Sequence, residues 1–210
     1  MSAEHAQDIR LTGAKIGIQP HICAFFHSQE EEYQIMMPFI KEGIERGEKA
    51  FHIIAPNLQA NHLQRLRNVG LDPDELERRK QLEIRVWEKA YLRNNGSFDL
   101  NDMLALIQEV LTEGKREGFP LTRLIAHMEW SLEDRPGVKD IVEYESRLNH
   151  ILPQFQDPVI CVYDLAQFGA ATVIEILRTH PMVIIGGILQ ENPFYVDPDD
   201  YLRELQTHKA

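Results

Sequence analysis

The sequence predicts an α/β fold: a three-layer sandwich with a mainly parallel central sheet. Short, almost wholly apolar runs alternate with amphipathic stretches from residue 21 onward. That rhythm is the strand–helix–strand repeat of crossover units, whose right-handedness then fixes most of the topology. The apolar runs also lack the in–out alternation of a half-solvated sheet, as strands covered on both faces do.

Each element has its own reason. His21-Ile22-Cys23-Ala24-Phe25-Phe26 is the first predicted strand. Glu30 to Arg46 carries Tyr33, Met36, Met37, Ile40 and Ile44 at helical spacing, and Gly47 closes it. Ala50 to Ala55 is a strand, and Pro56-Asn57 opens a helix to about Asn68. Asp72-Pro73 caps and starts a short charged helix to about Lys80. Leu82 to Trp87 alternates apolar with polar, the pattern of a half-covered strand near an edge. Asp99 or Asn101 caps a helix bearing Met103, Leu104, Ile107, Val110 and Leu111, which Gly118-Phe119-Pro120 ends. Leu124 to Met128 is a strand, Val138 to Leu152 a helix, Val159 to Tyr163 a strand and Ala170 to Arg178 a helix. Val183 to Leu189 reads as a strand interrupted by Gly186-Gly187, and Asp199 to Gln206 as a last helix. Residues 1–15 are expected to be a flexible N-terminal arm, and 16–210 a single domain.

The chain has 210 residues, with 22 basic against 33 acidic side chains and a net charge of -11. At roughly 150 residues per domain this is one domain with additions. The acidic balance argues against direct nucleic-acid binding or an anionic membrane surface, since phosphate binding needs clustered Lys and Arg. No apolar run reaches the roughly 18 residues of a membrane span, and the polar start carries no signal peptide. Two cysteines, Cys23 and Cys161, show no CxxC or zinc-finger spacing. A cytoplasmic location with both thiols reduced is expected.

In parallel sheets ligands sit outside the carboxyl ends of the strands. That rule selects a rim: Phe26, His27 and Ser28 after the first strand, Trp87, Glu129 with Trp130, and Tyr163 with Asp164. Aromatic walls with a few polar groups suit a small, mostly apolar ligand. Glu129 and Asp164 are read as lining that pocket, and no motif supplies a catalytic nucleophile, so no enzyme activity is expected. His21, Cys23 and His27, with His52 on a neighbouring strand, also raise a metal reading. A buried thiol packing as a small hydrophobe explains Cys23 more simply, so no metal or cofactor is expected. A redox pair of Cys23 and Cys161 would need adjacent strands and a lowered thiol pKa. Glu30-Glu31-Glu32 fits a helix start, with Ser28 and Glu31 spaced as a capping box.

The segments PHICAFFHSQEEEYQIMMPFIKEGIERGEKAFHII, HMEW, YESRLN, ICVYDLAQF, THPMVIIGG and ENPFY, in this order, resemble the MEDS family. The resemblance spans residues 15 to 205. It implies a sensory domain that takes a small ligand, hydrocarbon derivatives being suggested, and that stands alone or beside kinase, anti-sigma-type or transcription-factor modules. A stand-alone chain would signal by contact with such a partner, and exposed apolar helix faces leave a homodimer open. A more distant resemblance is to RecA/KaiC-like ATPases. Their phosphate-cradling loop needs glycines and a lysine, and here Phe26 is followed by His27-Ser28-Gln29-Glu30-Glu31-Glu32. The alternative function is therefore a degenerate nucleotide binder or ATPase on the same scaffold.

Overall fold

The computed structural model describes residues 9–16, 21–93 and 95–209. A small hairpin, β1 (Arg10–Leu11) with β2 (Ala14–Lys15), comes first. The main sheet is built from β3 (His21–Phe26), β4 (Lys49–Ile54), β5 (Leu82–Val86), β6 (Thr122–His127), β7 (Val159–Asp164), β8 (Met182–Ile185) and β9 (Ile188–Glu191). Across it the strands run β5-β4-β6-β7-β3-β8-β9. All neighbours pair in parallel except β8 with β9, which forms an antiparallel hairpin. Gly186 and Gly187, both at positive φ (56° and 73°), make its turn.

Helices cover both faces. Alternation along β3 sends Ile22, Ala24 and Phe26 to one face and Cys23 and Phe25 to the other. The first face packs against α1 (Gln29–Glu45), with α2 (Gln59–Asn68) and α3 (Pro73–Arg78). The second packs against α4 (Leu100–Arg116), α5 (Ile141–Ile151) and α6 (Ala170–Thr179). A final helix, α7 (Pro198–Lys209), lies against α5 and α6. β3, β4 and β6 are buried end to end, while β5 and β9, at the two edges of the sheet, are partly exposed. Side-chain caps start α1 (Ser28), α3 (Asp72), α4 (Asp99) and α7 (Asp197).

The α/β three-layer sandwich and every helix and strand anticipated from residue 21 onward are present, with ends shifted by up to three residues. The helix expected from Val138 begins instead as a 3-10 turn over Val138–Asp140. Within the expected arm, Ile9 and Leu11, with Ile16 beyond it, are buried in the α1 face, and Thr12 Oγ1 accepts from the Leu189 N–H at 3.0 Å. Residues 1–8 lie outside the described part. Among the described residues no helix is long and apolar enough to cross a membrane.

The end of the sheet opposite the rim is fixed by a buried ion pair. Arg123 of β6 donates through Nε to Glu48 Oε2 and through Nη1 to the Phe39 carbonyl in α1. Its guanidinium lies over the Phe39 ring, 4.2 Å from the centroid. It occupies space that a side chain at residue 43 would need: a Cβ on Gly43 would sit 2.5 Å from Arg123 Nε. Replacing Arg123 by Met leaves Glu48 buried with only Arg46, whose Nε is 2.9 Å from Glu48 Oε1. Urea unfolding is expected to show a loss of about 3 kcal/mol, since a deserted buried charge is strongly destabilising. A variant as stable as the parent would show that the pair does not hold α1 to the sheet.

Candidate functional site

The carboxyl ends of the strands form a crevice because the connections leaving β3 and β7 go to opposite faces, β3 into α1 and β7 into α6. The Leu165 N–H donates to the Phe26 carbonyl at 2.8 Å and keeps the two strand ends together. A cavity of about 110 Å³ opens there. Six of the eight rim residues read from the sequence border it: Phe26, Ser28, Trp87, Glu129, Tyr163 and Asp164. Glu32 of α1 joins them.

The other two go elsewhere. His27 is exposed, and its backbone N–H donates to Glu31 Oε2 at 2.7 Å. Trp130 is wholly buried in an aromatic stack, 4.3 Å from Tyr91 and 4.7 Å from Phe98 between ring centroids. The 3-10 turn over Glu129–Leu132 separates neighbours that an extended strand end would have left at one rim.

The first turn of α1 supplies its own anion. Ser28 Oγ accepts from the Glu31 N–H at 3.2 Å while Glu31 Oε2 accepts from the His27 N–H. This is a reciprocal capping box. In a nucleotide-binding fold the amides at this position are donated to phosphate. Here two donors are already satisfied within the chain, and Glu30, Glu31 and Glu32 add negative charge beside them.

Behind the cavity lies a polar network that the sequence reading missed. His127 Nε2 meets Glu32 Oε1 at 2.8 Å, both largely buried. His52 Nδ1 is 2.9 Å from His62 Nε2, and His62 Nδ1 is 2.8 Å from the Tyr33 hydroxyl. Burial works to lower the His127 pKa, but Glu32 and then Glu129 outweigh it and raise it to about 9. Burial and the neighbouring histidines hold His52 far below its usual value and lower His62 to about 3. Glu129 is pushed up by its own burial. The signal for Glu32 and His127 was present: one closes the acidic run, the other ends β6.

On the opposite face Glu145 of α5 is fully buried. Its Oε1 accepts from the Tyr163 hydroxyl at 2.9 Å, and its Oε2 faces His21 Nε2 at 3.2 Å and His180 Nε2 at 3.5 Å. Cys161 Sγ lies 3.8 Å from both His21 Nε2 and Glu145 Oε2. Burial works to raise the Glu145 pKa, and His180, His21 and Tyr163 together outweigh it, so the carboxyl is held low. Cys23 and Cys161 are register partners on adjacent strands, and both are free and buried. Burial, then Glu145, pushes both thiols up, which disfavours the thiolate that redox chemistry requires. The metal grouping weighed from sequence does not assemble: Cys23 Sγ faces the Met182 carbonyl, and His52 belongs to the α1-side network.

A parallel sheet covered on both faces, with its crevice kept and its first helix self-capped, defines an α/β protein of KaiC-like fold. The backbone is similar to a KaiC-like protein of the hyperthermophilic archaeon Pyrococcus horikoshii, with TM-score 0.55 and 14% identity over 79% of this chain and 70% of that one. Residues 20–181 match the MEthanogen/methylotroph, DcmR Sensory domain, MEDS. The chain belongs to the MEDS family. It is also 26% identical over 180 residues to the transcriptional repressor DcmR of Methylorubrum extorquens, over 85% of this chain and 64% of that protein. The chain thus matches less than two thirds of the repressor's length.

The two histidine environments set a stability window. His127, raised from 6.5 to about 9, contributes fully below 6.5, and its contribution is lost as pH rises through 9. His62, lowered from 6.5 to about 3, contributes above 6.5, and that is lost as pH falls toward 3. Urea midpoints followed with pH are expected to peak near neutrality. In His127→Gln the alkaline loss, up to about 3 kcal/mol, should be absent. An unchanged alkaline limb in that variant would contradict the assignment.

Proposed function

We propose that this chain is a non-catalytic sensory module that takes a small uncharged ligand in the rim cavity and signals through contact with another protein. The observation that carries the reading is the cavity itself, at the carboxyl rim of a KaiC-like sheet whose first helix turn is already occupied by Glu31. Phe26, Trp87 and Tyr163 give it an apolar side, and Ser28, Glu129 and Asp164 give it polar groups. Carboxylates at the mouth select against anions.

Size limits the ligand. The cavity of about 110 Å³ equals a few water molecules, so it suits a molecule of roughly four heavy atoms. At the ceiling of about 1.5 kcal/mol per heavy atom, the best affinity is about 6 kcal/mol, or tens of micromolar. Small hydrocarbon derivatives, the class the family resemblance suggests, fit these limits. DcmR is a transcriptional repressor. A transcription regulator is therefore the first partner to test, with kinases and anti-sigma-type proteins next. Ile185 and Ile188, facing across the β8–β9 hairpin, offer exposed apolar surface for that contact.

Short alcohols and halomethanes, titrated by calorimetry and thermal shift, are expected to bind in the tens-of-micromolar to millimolar range. Trp87→Ala should weaken binding about tenfold or more by removing an aromatic wall. Magnesium-ATP should not bind. Tight ATP binding with hydrolysis, lost in Glu129→Gln, would replace this reading with a nucleotide-dependent one.

A further inference from the structure

The α5 face holds four side chains whose ligand atoms converge: His21, Glu145, Cys161 and His180 all lie within 4.8 Å of one another and all are buried. We propose that these four residues form a closed tetrahedral site for one divalent transition-metal ion of zinc's kind. The inference is independent of the rim cavity.

The spacings are those of a coordination shell. Zinc binds imidazole nitrogen and carboxylate oxygen near 2.0–2.2 Å and thiolate near 2.3 Å, so the edges of a tetrahedron around it are about 3.3–3.7 Å. The cluster shows 3.2 Å for His21 Nε2 to Glu145 Oε2 and 3.5 Å for His180 Nε2 to the same oxygen. The sulfur stands 3.8 Å from His21 Nε2 and from Glu145 Oε2. An ion at the centre would reach all four with small side-chain adjustments.

The outer contacts orient each ligand. His21 Nδ1 is 3.1 Å from Asn149 Oδ1, which leaves Nε2 facing the cluster. His180 Nδ1 is 2.9 Å from the Ile176 carbonyl and 3.0 Å from Thr179 Oγ1. Glu145 spends its other oxygen on the Tyr163 hydroxyl. Metal-bound histidines are held this way, with the second ring nitrogen donating to an oxygen. Most telling is His180 Nε2, which is wholly buried, points into the cluster and faces Glu145 Oε2 at 3.5 Å without completing a hydrogen bond. Such an orphan atom is rare unless something unseen satisfies it.

Charge closes the argument. Loss of the Cys161 proton to solvent, with a sulfur–metal bond formed in its place, gives one thiolate and one carboxylate. These neutralise a dication, so a neutral unit is buried. No oxidation state changes. With four protein ligands and no solvent opening, the site is structural in kind: it ties β3, β7, α5 and the segment before β8 together, as closed zinc sites do.

The test uses the whole chain. Protein purified from zinc-supplemented culture is expected to hold about one zinc per chain by elemental analysis. The apo-protein titrated with cobalt should develop a thiolate-to-cobalt charge-transfer band and the intense visible bands of a tetrahedral centre. Cys161→Ser should abolish the charge-transfer band, while Cys23→Ser, on the same sheet face, should keep it. Asn149→Ala should weaken zinc binding about tenfold by releasing the His21 ring. If Cys161→Ser fails to fold, the titrations of the parent and of Cys23→Ser still decide. A folded parent that takes up no first-row metal and shows no cobalt–thiolate band overturns the proposal, as does a band lost in Cys23→Ser but kept in Cys161→Ser.

Discussion

A carboxylate with no access to water governs the α5 side of the molecule. Removing an ion from solvent costs several kcal/mol unless its oxygens are satisfied, and Glu145 meets groups from three separate segments of the chain. His21 sits at the start of β3, Tyr163 near the end of β7, and His180 just before β8. All three converge on one helix residue. The arrangement fixes the height of α5 over the sheet more narrowly than apolar packing would, because hydrogen bonds tolerate less displacement than methyl contacts. Tyr163 also borders the rim cavity, so the crevice and the buried cluster share a residue.

The other side of the sheet solves a different problem. A KaiC-like fold leaves backbone amides at the head of its first helix that favour an anion. In this chain a side chain of the helix itself provides one. The carboxylate is anchored locally, within the first turn of the helix. What is left between the strand ends is a small chamber with aromatic and acidic boundaries. The buried pairs Glu32–His127 and His52–His62 then stand behind it.

Much of the architecture could be read from the residues. The strands are apolar on both faces because helices cover both faces, and that doubling is visible as unbroken runs such as His21 to Phe26. Helix starts were legible where a side chain caps them, at Ser28, Asp72 and Asp99. The rim rule located six of its eight residues because strand ends are local features. It failed at Trp130, where a 3-10 turn rotates the side chain into the core, a conformation no periodicity announces. His21 was noticed, yet its partners were not. Glu145 and His180 come from separate segments, and only the parallel register of β3 with β7 and β8 sets them side by side. Both fall inside segments that carried the family resemblance, YESRLN and THPMVIIGG, but as sequence they look like an ordinary helix and a turn.

The close approach of Arg123 to Gly43 has an evolutionary corollary. A guanidinium from β6 fills the place where a helix in α1 would ordinarily carry a methyl group. Neither position is free to drift alone: a larger residue at 43 evicts the cation, and a shorter one at 123 opens a hole beside a stranded acid. Relatives that lack the arginine should have regained a side chain on the helix, so the two sites ought to change in step across the family.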